Sequence, residues 1–190
     1  MVNIWFTSDT HFGHERIIEL CNRPFESVEH MNESIIENHN ALVKPGDKVF
    51  HLGDLAMGKI AETLPLAARL NGDKALIPGN HDRVFSQNKQ KMLDRFMPLY
   101  SEIFTVMPEQ TKVPKHNLKM CHFPYYGDSH EEDRYSGMRP ADNGDWLIHG
   151  HVHDSWKVNG RQINVGVDVW DFRPVHLDEI LAITEAGYAL

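Results

Sequence analysis

Five short segments constrain what this chain can fold into. They are Asp9-Thr10-His11, Gly53-Asp54, Gly79-Asn80-His81-Asp82, Cys121-His122 and Gly150-His151-Val152-His153. Each ends or follows an apolar run that reads as a β-strand. A single His or Asp would say little, but a carboxylate–imidazole set that recurs at strand ends is not explained by packing. Oxygen and nitrogen donors without thiolate favour Mn²⁺, Fe, Zn²⁺ or Ni²⁺ over an iron–sulfur cluster.

The runs between these segments outline an α/β protein. Val2 to Thr7 reads as a buried first strand, and Lys48–Leu52 and Ala75–Pro78 as the next two. Ser27 is placed to cap a helix running to about Val43, with Val28, Met31, Ile35 and Leu42 on one face. A helix over Lys59–Leu70 is disturbed by Pro65 and closed by Asn71-Gly72, and another is expected over Gln87–Phe96. The second half changes to short strands at Ile103–Val106, Asn117–Cys121 and Trp146–Ile148. Asn159-Gly160 predicts a type I′ hairpin within Lys157–Ile163. The polar segment 127–143 reads as a loop of functional length. Strand–helix alternation followed by hairpins implies α/β packing with a mixed sheet. No repeat or linker divides the chain, so residues 1–190 read as one domain.

Composition narrows the classes. No stretch approaches the roughly 20 apolar residues that cross a bilayer, and Met1-Val2-Asn3-Ile4-Trp5-Phe6 lacks the pattern of a signal peptide. Two cysteines, Cys21 and Cys121, make no disulfide framework. The expectation is a cytoplasmic protein with reduced thiols. A formal net charge of −8 argues against a broad nucleic-acid footprint. Bound divalent ions would reverse the sign locally, where an anionic substrate must approach.

Spacing adds geometry. In extended backbone, side chains at i and i+2 point the same way, so Asp9 and His11 are expected to reach one ion and His151 and His153 to lie on one side. Asp54, after the second strand, is the natural bridging carboxylate.

The ordered set D-x-H, G-D, G-N-H-D, a later His and G-H-x-H, from Asp9 to His153, resembles the calcineurin-like metallophosphoesterase superfamily. Ser8-Asp9-Thr10-His11-Phe12-Gly13-His14 and Cys21-Asn22-Arg23-Pro24-Phe25 are similar to a small, uncapped branch found in bacteria and phages. The resemblance implies a four-layer α/β/β/α sandwich with two mixed β-sheets. It implies two divalent ions, Mn²⁺ foremost, with Asp9, His11, Asp54 and His153 on the first and Asp54, Asn80, His122 and His151 on the second. It makes His81 the catalytic His that binds phosphate and protonates the leaving oxygen. Asp82 would orient the His81 ring or cap the following helix. His14, Arg23, Arg134 and Arg139 are candidate substrate contacts, the arginines because guanidinium binds phosphate bidentately. One departure stands out: many relatives carry a second Asp three residues after the G-D aspartate, where this chain has Met57.

The implied activity is hydrolysis of small phosphodiesters, cyclic nucleotide-like or aryl, by a hydroxide held between two metals. Phosphomonoesterase or nucleotidase action is the near alternative. A nuclease would want a basic groove, and a non-catalytic scaffold of the same fold would lack the ligands and His81 that are present here. Family members are often dimers, so a homo-oligomer is within expectation.

Overall fold

The computed structural model describes residues 2–130 and 134–187; residues 131–133 of the polar segment lie outside them. The first apolar runs become β1 (Ile4–Thr7), β2 (Lys48–His51), β3 (Asp73–Leu76) and β4 (Thr105–Val106), which pair in parallel. β10 (Val175–His176) adds antiparallel to β1, giving the order β10-β1-β2-β3-β4. The second sheet has the order β5-β6-β7-β9-β8. Its strands are β5 (Gln110–Lys112), β6 (Leu118–Cys121), β7 (Trp146–His149), β8 (Val158–Asn159) and β9 (Gln162–Asn164). Parallel pairs join β6, β7 and β9, and antiparallel pairs close both edges. Both sheets are therefore mixed and flanked by helices, the metallophosphoesterase sandwich that the resemblance implied.

Alternation along the strands decides which side chains meet between the sheets. Phe6, Phe50 and Ala75 of the first sheet pack with Leu118, Met120, Ile148 and Ile163 of the second. The opposite face of the first sheet is covered by α1 (Ile17–Leu20), α2 (Val28–Leu42), α3 (Ile60–Thr63) and α4 (Gln90–Ser101) through Ile17, Met31, Ile35, Ile36, Ile60 and Tyr100. Each fully buried aliphatic or aromatic side chain contributes roughly 1.5–3 kcal/mol. Cys121 and Leu147 point the other way and pack with Phe85 and Phe123, against Tyr125 and Met138. The last helix, α5 (Leu177–Ala186), closes the inter-sheet core with Leu177 and Ile180.

Ser27 caps α2 as its position suggested, accepting from His30 N at 3.1 Å. Three local expectations shift. The helix expected over Lys59–Leu70 is α only to Thr63 and continues as a 3₁₀ helix over Leu64–Arg69, because Pro65 supplies no N–H to an α-helical turn. The helix expected over Gln87–Phe96 runs from Gln90 to Ser101 despite Pro98, because Phe96, Met97 and Tyr100 all pack into the core beneath it. In the hairpin, Asn159 pairs with Gln162, so Gly160 and Arg161 form the turn. Only Gly160 has positive φ there, which is not the type I′ pattern with two.

No helix among the described residues is long and apolar enough to cross a membrane.

Candidate metal centre

The motif residues lie just past the strand ends, in a backbone the extended-strand argument did not foresee. Asp9, His11, Asp54, His151 and His153 all have positive φ, between 48° and 72°. Non-glycine residues rarely adopt this region, and such outliers gather at functional sites. The expectation that Asp9 and His11 share a side because their backbone is extended is thus corrected: they do converge, but through left-handed turns. His151 and His153 do not share a side; they go to different donor sets.

The turns hold because they pair with one another. Asp9 N donates to Gly53 O at 3.0 Å and His11 N to Asp54 O at 3.1 Å, extending the β1–β2 register into the loops. The Asp9 carboxylate accepts from His151 N at 3.0 and 3.2 Å, which brings the second sheet's loop onto the first. Glycine is required at the closest approach: a Cβ on Gly150 would collide with Ser8 Oγ and Asp9 Oδ2.

Two donor sets result. Asp9, His11 and His153 offer ligand atoms that all lie within 4.8 Å of one another, and so do Asp54, His122 and His151. Between the sets, Asp54 Oδ2 stands 3.5 Å from His122 Nε2, 3.7 Å from His11 Nε2 and 3.9 Å from His81 Nε2. Two ligands each about 2.1 Å from one ion lie roughly 3–3.5 Å apart at ordinary coordination angles, so the His122 separation suits a shared cation, the His11 one is slightly wider, and His81 stands further off. Both ring nitrogens of His11 are buried without a hydrogen bond among the described residues, a state that buried polar atoms rarely tolerate.

His122 makes the same point by its tautomer. With Nδ1–H donated to Leu52 O at 2.7 Å, the Nε2 lone pair faces Asn80 Oδ1 at 3.2 Å and the Asp54 carboxylate. Acceptors facing acceptors need a positive charge. Burial alone would lower the His122 pKa, but Asp54 and Asp9 raise it to about 9. Burial also works against the Asp54 carboxylate, yet His122, His11 and His81 hold it well below its ordinary value. This chemistry fits a divalent cation, bound in competition with protons.

Behind the donors lie their supports. His153 Nδ1 meets Asp168 Oδ2 at 3.3 Å, the arrangement by which carboxylates orient metal-bound imidazoles. Arg23 grips Asp168 with Nε at 2.7 Å and Nη2 at 2.9 Å, and donates to Asp9 O and Thr10 O at 2.8 and 3.2 Å. Arg23 is buried, so its expected role as a phosphate clamp is corrected: its donors are consumed inside the protein. Cys21 joins His153 and Asp168 in a third group of converging donor atoms, so a thiol stands beside a set that looked thiolate-free.

Asp82 also does a different job from either one expected of it. Its carboxylate accepts from Asp54 N, Leu55 N and Gly79 N at 2.9, 3.1 and 2.8 Å. It therefore ties the Asp54 turn to the Asn80 turn. It caps no helix, since α4 starts only at Gln90. Met57, in place of the relatives' second Asp, donates its N–H to Phe12 O and accepts from Thr63 Oγ1. His51 and His149 lie buried under the turns, against Thr10 Oγ1 at 3.0 Å and Gly150 O at 2.7 Å.

A cavity of about 390 Å³ opens over the donors. His14, His81 and Arg134 line it beside Ile17, Leu20 and Cys21. His14 lies with its ring 5.4 Å from that of His11, and burial, with His81 nearby, lowers its pKa. Arg139 does not line this cavity. Its side chain is buried and donates to Arg134 O at 3.2 Å, so the substrate contact expected of it is corrected to support of the loop.

Two supporting carboxylates stand outside the residues singled out by motif: Asp128, whose Oδ2 stands 3.3 Å from His151 Nε2, and Asp168. No spacing rule marks either residue. The one available hint was an acidic residue following glycine in a long loop just after the Cys121-His122 motif.

A family model described as calcineurin-like phosphoesterase matches residues 2–155. The Gene 66 protein of Mycobacterium phage L5 is 34% identical over 196 aligned residues, covering 95% of this chain and 93% of its own. An uncharacterised protein of Methanocaldococcus jannaschii is also 34% identical, over 98% of this chain and 94% of its own. The crystal structure of a protein of unknown function from Aquifex aeolicus superposes with a TM-score of 0.71 at 28% identity, covering 96% of this chain and 99% of that one.

Proposed function

The chain belongs to the calcineurin-like phosphoesterase family, whose members hydrolyse phosphoesters at a divalent metal centre, and from that premise we propose that it cleaves small phosphodiesters with two bound ions, Mn²⁺ foremost. The observation that carries the reading is the convergence of His11 Nε2 and His122 Nε2 on one oxygen of Asp54. Asp9, His11, Asp54 and His153 would hold one ion, and Asp54, Asn80, His122 and His151 the other. Bound there, two such ions would activate water and neutralise charge on the phosphoryl oxygens.

The chain's own residues supply the rest. His81 N donates to Asp54 Oδ1 at 2.9 Å, which sets the half-exposed imidazole at the cavity wall above the bridging carboxylate. From there it protonates the departing oxygen. Arg134 also lines the cavity and binds a non-bridging phosphoryl oxygen, and His14 lines it beside His11. A cavity of about 390 Å³ has the volume for a phosphoryl group with two small organic substituents, which is compatible with a diester.

Hydrolysis of bis(p-nitrophenyl) phosphate before and after chelation tests the reading. Turnover is expected to vanish with chelator and to return with Mn²⁺ more than with Ca²⁺, which prefers an all-oxygen shell. Turnover that survives exhaustive chelation overturns it, and faster cleavage of p-nitrophenyl phosphate would favour a monoesterase. His81→Ala is expected to lose about 10²–10⁴-fold in rate on an alkyl leaving group, and less on p-nitrophenolate, which departs without a proton. Equal losses on both, with metal content unchanged, would leave His81 a phosphate ligand and not an acid.

A further inference from the structure

The loop after β6 carries a buried carboxylate that the five motifs do not account for. Asp128 has a side chain only 2% exposed. Its Oδ1 accepts from Arg134 Nη2 at 2.9 Å and His130 N at 3.2 Å, and its Oδ2 accepts from Arg134 N at 3.1 Å. Arg139 Nη2 lies 3.9 Å away. The preceding residue fixes the approach: Gly127 has φ +92°, and a Cβ there would collide with the Trp156 ring.

The remaining reach of Oδ2 is toward His151 Nε2, at 3.3 Å. The pair is within ion-pair distance, short of an aligned hydrogen bond, and Nε2 is buried with no other hydrogen bond among the described residues. The His151 ring is hemmed in by Phe123, Tyr135 and His122, with centroids 5.0, 5.7 and 5.2 Å away. Which imidazole nitrogen keeps the proton is set by the partner of the other. A carboxylate at Nε2 keeps the proton there and leaves the Nδ1 lone pair for a cation shared with Asp54 and His122. An imidazole that gives Nδ1 to a cation is in turn a stronger donor at Nε2.

We propose that Asp128 is a positioning residue with two jobs: it sets the ring and tautomer of His151, and with the same carboxylate it tethers Arg134 at the cavity wall. The first job concerns the ion held by Asp54, His122 and His151, so the proposal rests on the two-ion reading above. The jobs are separable by substitution. An asparagine keeps an acceptor oxygen for His151 but gives up the charge that holds Arg134; an alanine gives up both.

The test is calorimetric titration of the metal-free full chain with Mn²⁺, alongside KM for bis(p-nitrophenyl) phosphate. Wild type is expected to take two ions. Asp128→Ala is expected to weaken one of them about 10–100-fold, as loss of a ligand-orienting residue typically does, and to leave the other unchanged. Asp128→Asn is expected to restore that affinity while KM rises, and Arg134→Ala to raise KM without touching either Mn²⁺ affinity. Should Asp128→Ala fail to fold, Asp128→Asn and Arg134→Ala still decide the matter. Wild-type Mn²⁺ binding in Asp128→Ala overturns the first job, and so does Asp128→Asn with weakened Mn²⁺ binding while Arg134→Ala binds normally. An unchanged KM in Asp128→Asn overturns the second. A wild-type protein that takes up fewer than two ions overturns the two-ion reading, and that result appears before any variant is made.

Discussion

Behind Asp9, His11 and His153 stands a closed circuit of buried polar contacts, running from His153 through Asp168 and Arg23 back to the carbonyls of Asp9 and Thr10. Behind Asp54, His122 and His151 stand backbone groups and loop residues instead: Leu52 O under His122, the Asp82 carboxylate under the Asp54 turn, and Asp128 beside His151. The first set is braced by an ion pair between residues 145 apart in sequence, the second mainly by the turns that carry it. A brace made of paired charges in the interior fails badly when one partner is removed, because the survivor stays buried and uncompensated. A backbone acceptor such as Leu52 O cannot be removed by substitution, whereas the Asp82 and Asp128 carboxylates can, and the two sets should therefore respond differently to mutation.

The strongest test of the comparison is Asp54, which belongs to the second set while its Oδ2 lies 3.7 Å from His11 Nε2 of the first. Asp54→Ala is expected to weaken both ions by more than about 100-fold, given that even supporting residues cost 10–100-fold, whereas His11→Ala should disturb mainly the first. Mn²⁺ titration checks both, and an Asp54→Ala protein that still holds one ion tightly would show that the sets are independent.

Arg23→Ala comes next. It leaves the buried Asp168 with His153 as its remaining partner and is expected to cost up to about 3–5 kcal/mol, a melting shift of up to roughly 6–20 °C for a chain of this size. The first ion should weaken with it while the second holds. A loss below about 1 kcal/mol, ordinary for an exposed ion pair, would mean the circuit is not a brace.

The smallest effect concerns what the two sets have in common, a neutral imidazole under each turn. Burial lowers both His51 and His149 to about 3. The unfolded chain takes up these protons near pH 6.5 and the folded one resists, so their contribution is full above about pH 6.5 and is lost as pH falls toward about 3. Between pH 6.5 and 5 each should cost roughly 2 kcal/mol. Thermal melts across this range with chelator present are expected to show falling stability, with a shallower slope for His51→Gln and for His149→Gln. Parallel slopes for wild type and variants would remove the imidazoles from the account.

Much of this site was legible in the residue order. Strand ends carrying Asp9, His11, Asp54, Asn80, His122, His151 and His153 could be read from apolar runs and motif spacing, and those residues do converge. The reason offered for the convergence was wrong, because positive φ at five of them replaces the extended backbone that the i, i+2 argument assumed. Arg23 and Asp82 were legible as residues but not as roles. An arginine in a polar segment looks like a clamp until its donors are found spent on Asp168 and two carbonyls.

The sequence by itself determined the α/β class, the family, the donor chemistry and the order in which donors arrive along the chain. Those properties live in local patterns, in strand periodicity and in ligand-bearing motifs a few residues long. Only the tertiary structure decided that left-handed turns carry the donors, that Arg23 is internal, and that Asp128 and Asp168 stand behind two imidazoles. The physical reason is distance along the chain. A hydrogen bond or ion pair across a hundred residues depends on the register of two sheets and the hand of the turns between them, and neither quantity is written in the neighbourhood of the residues it joins.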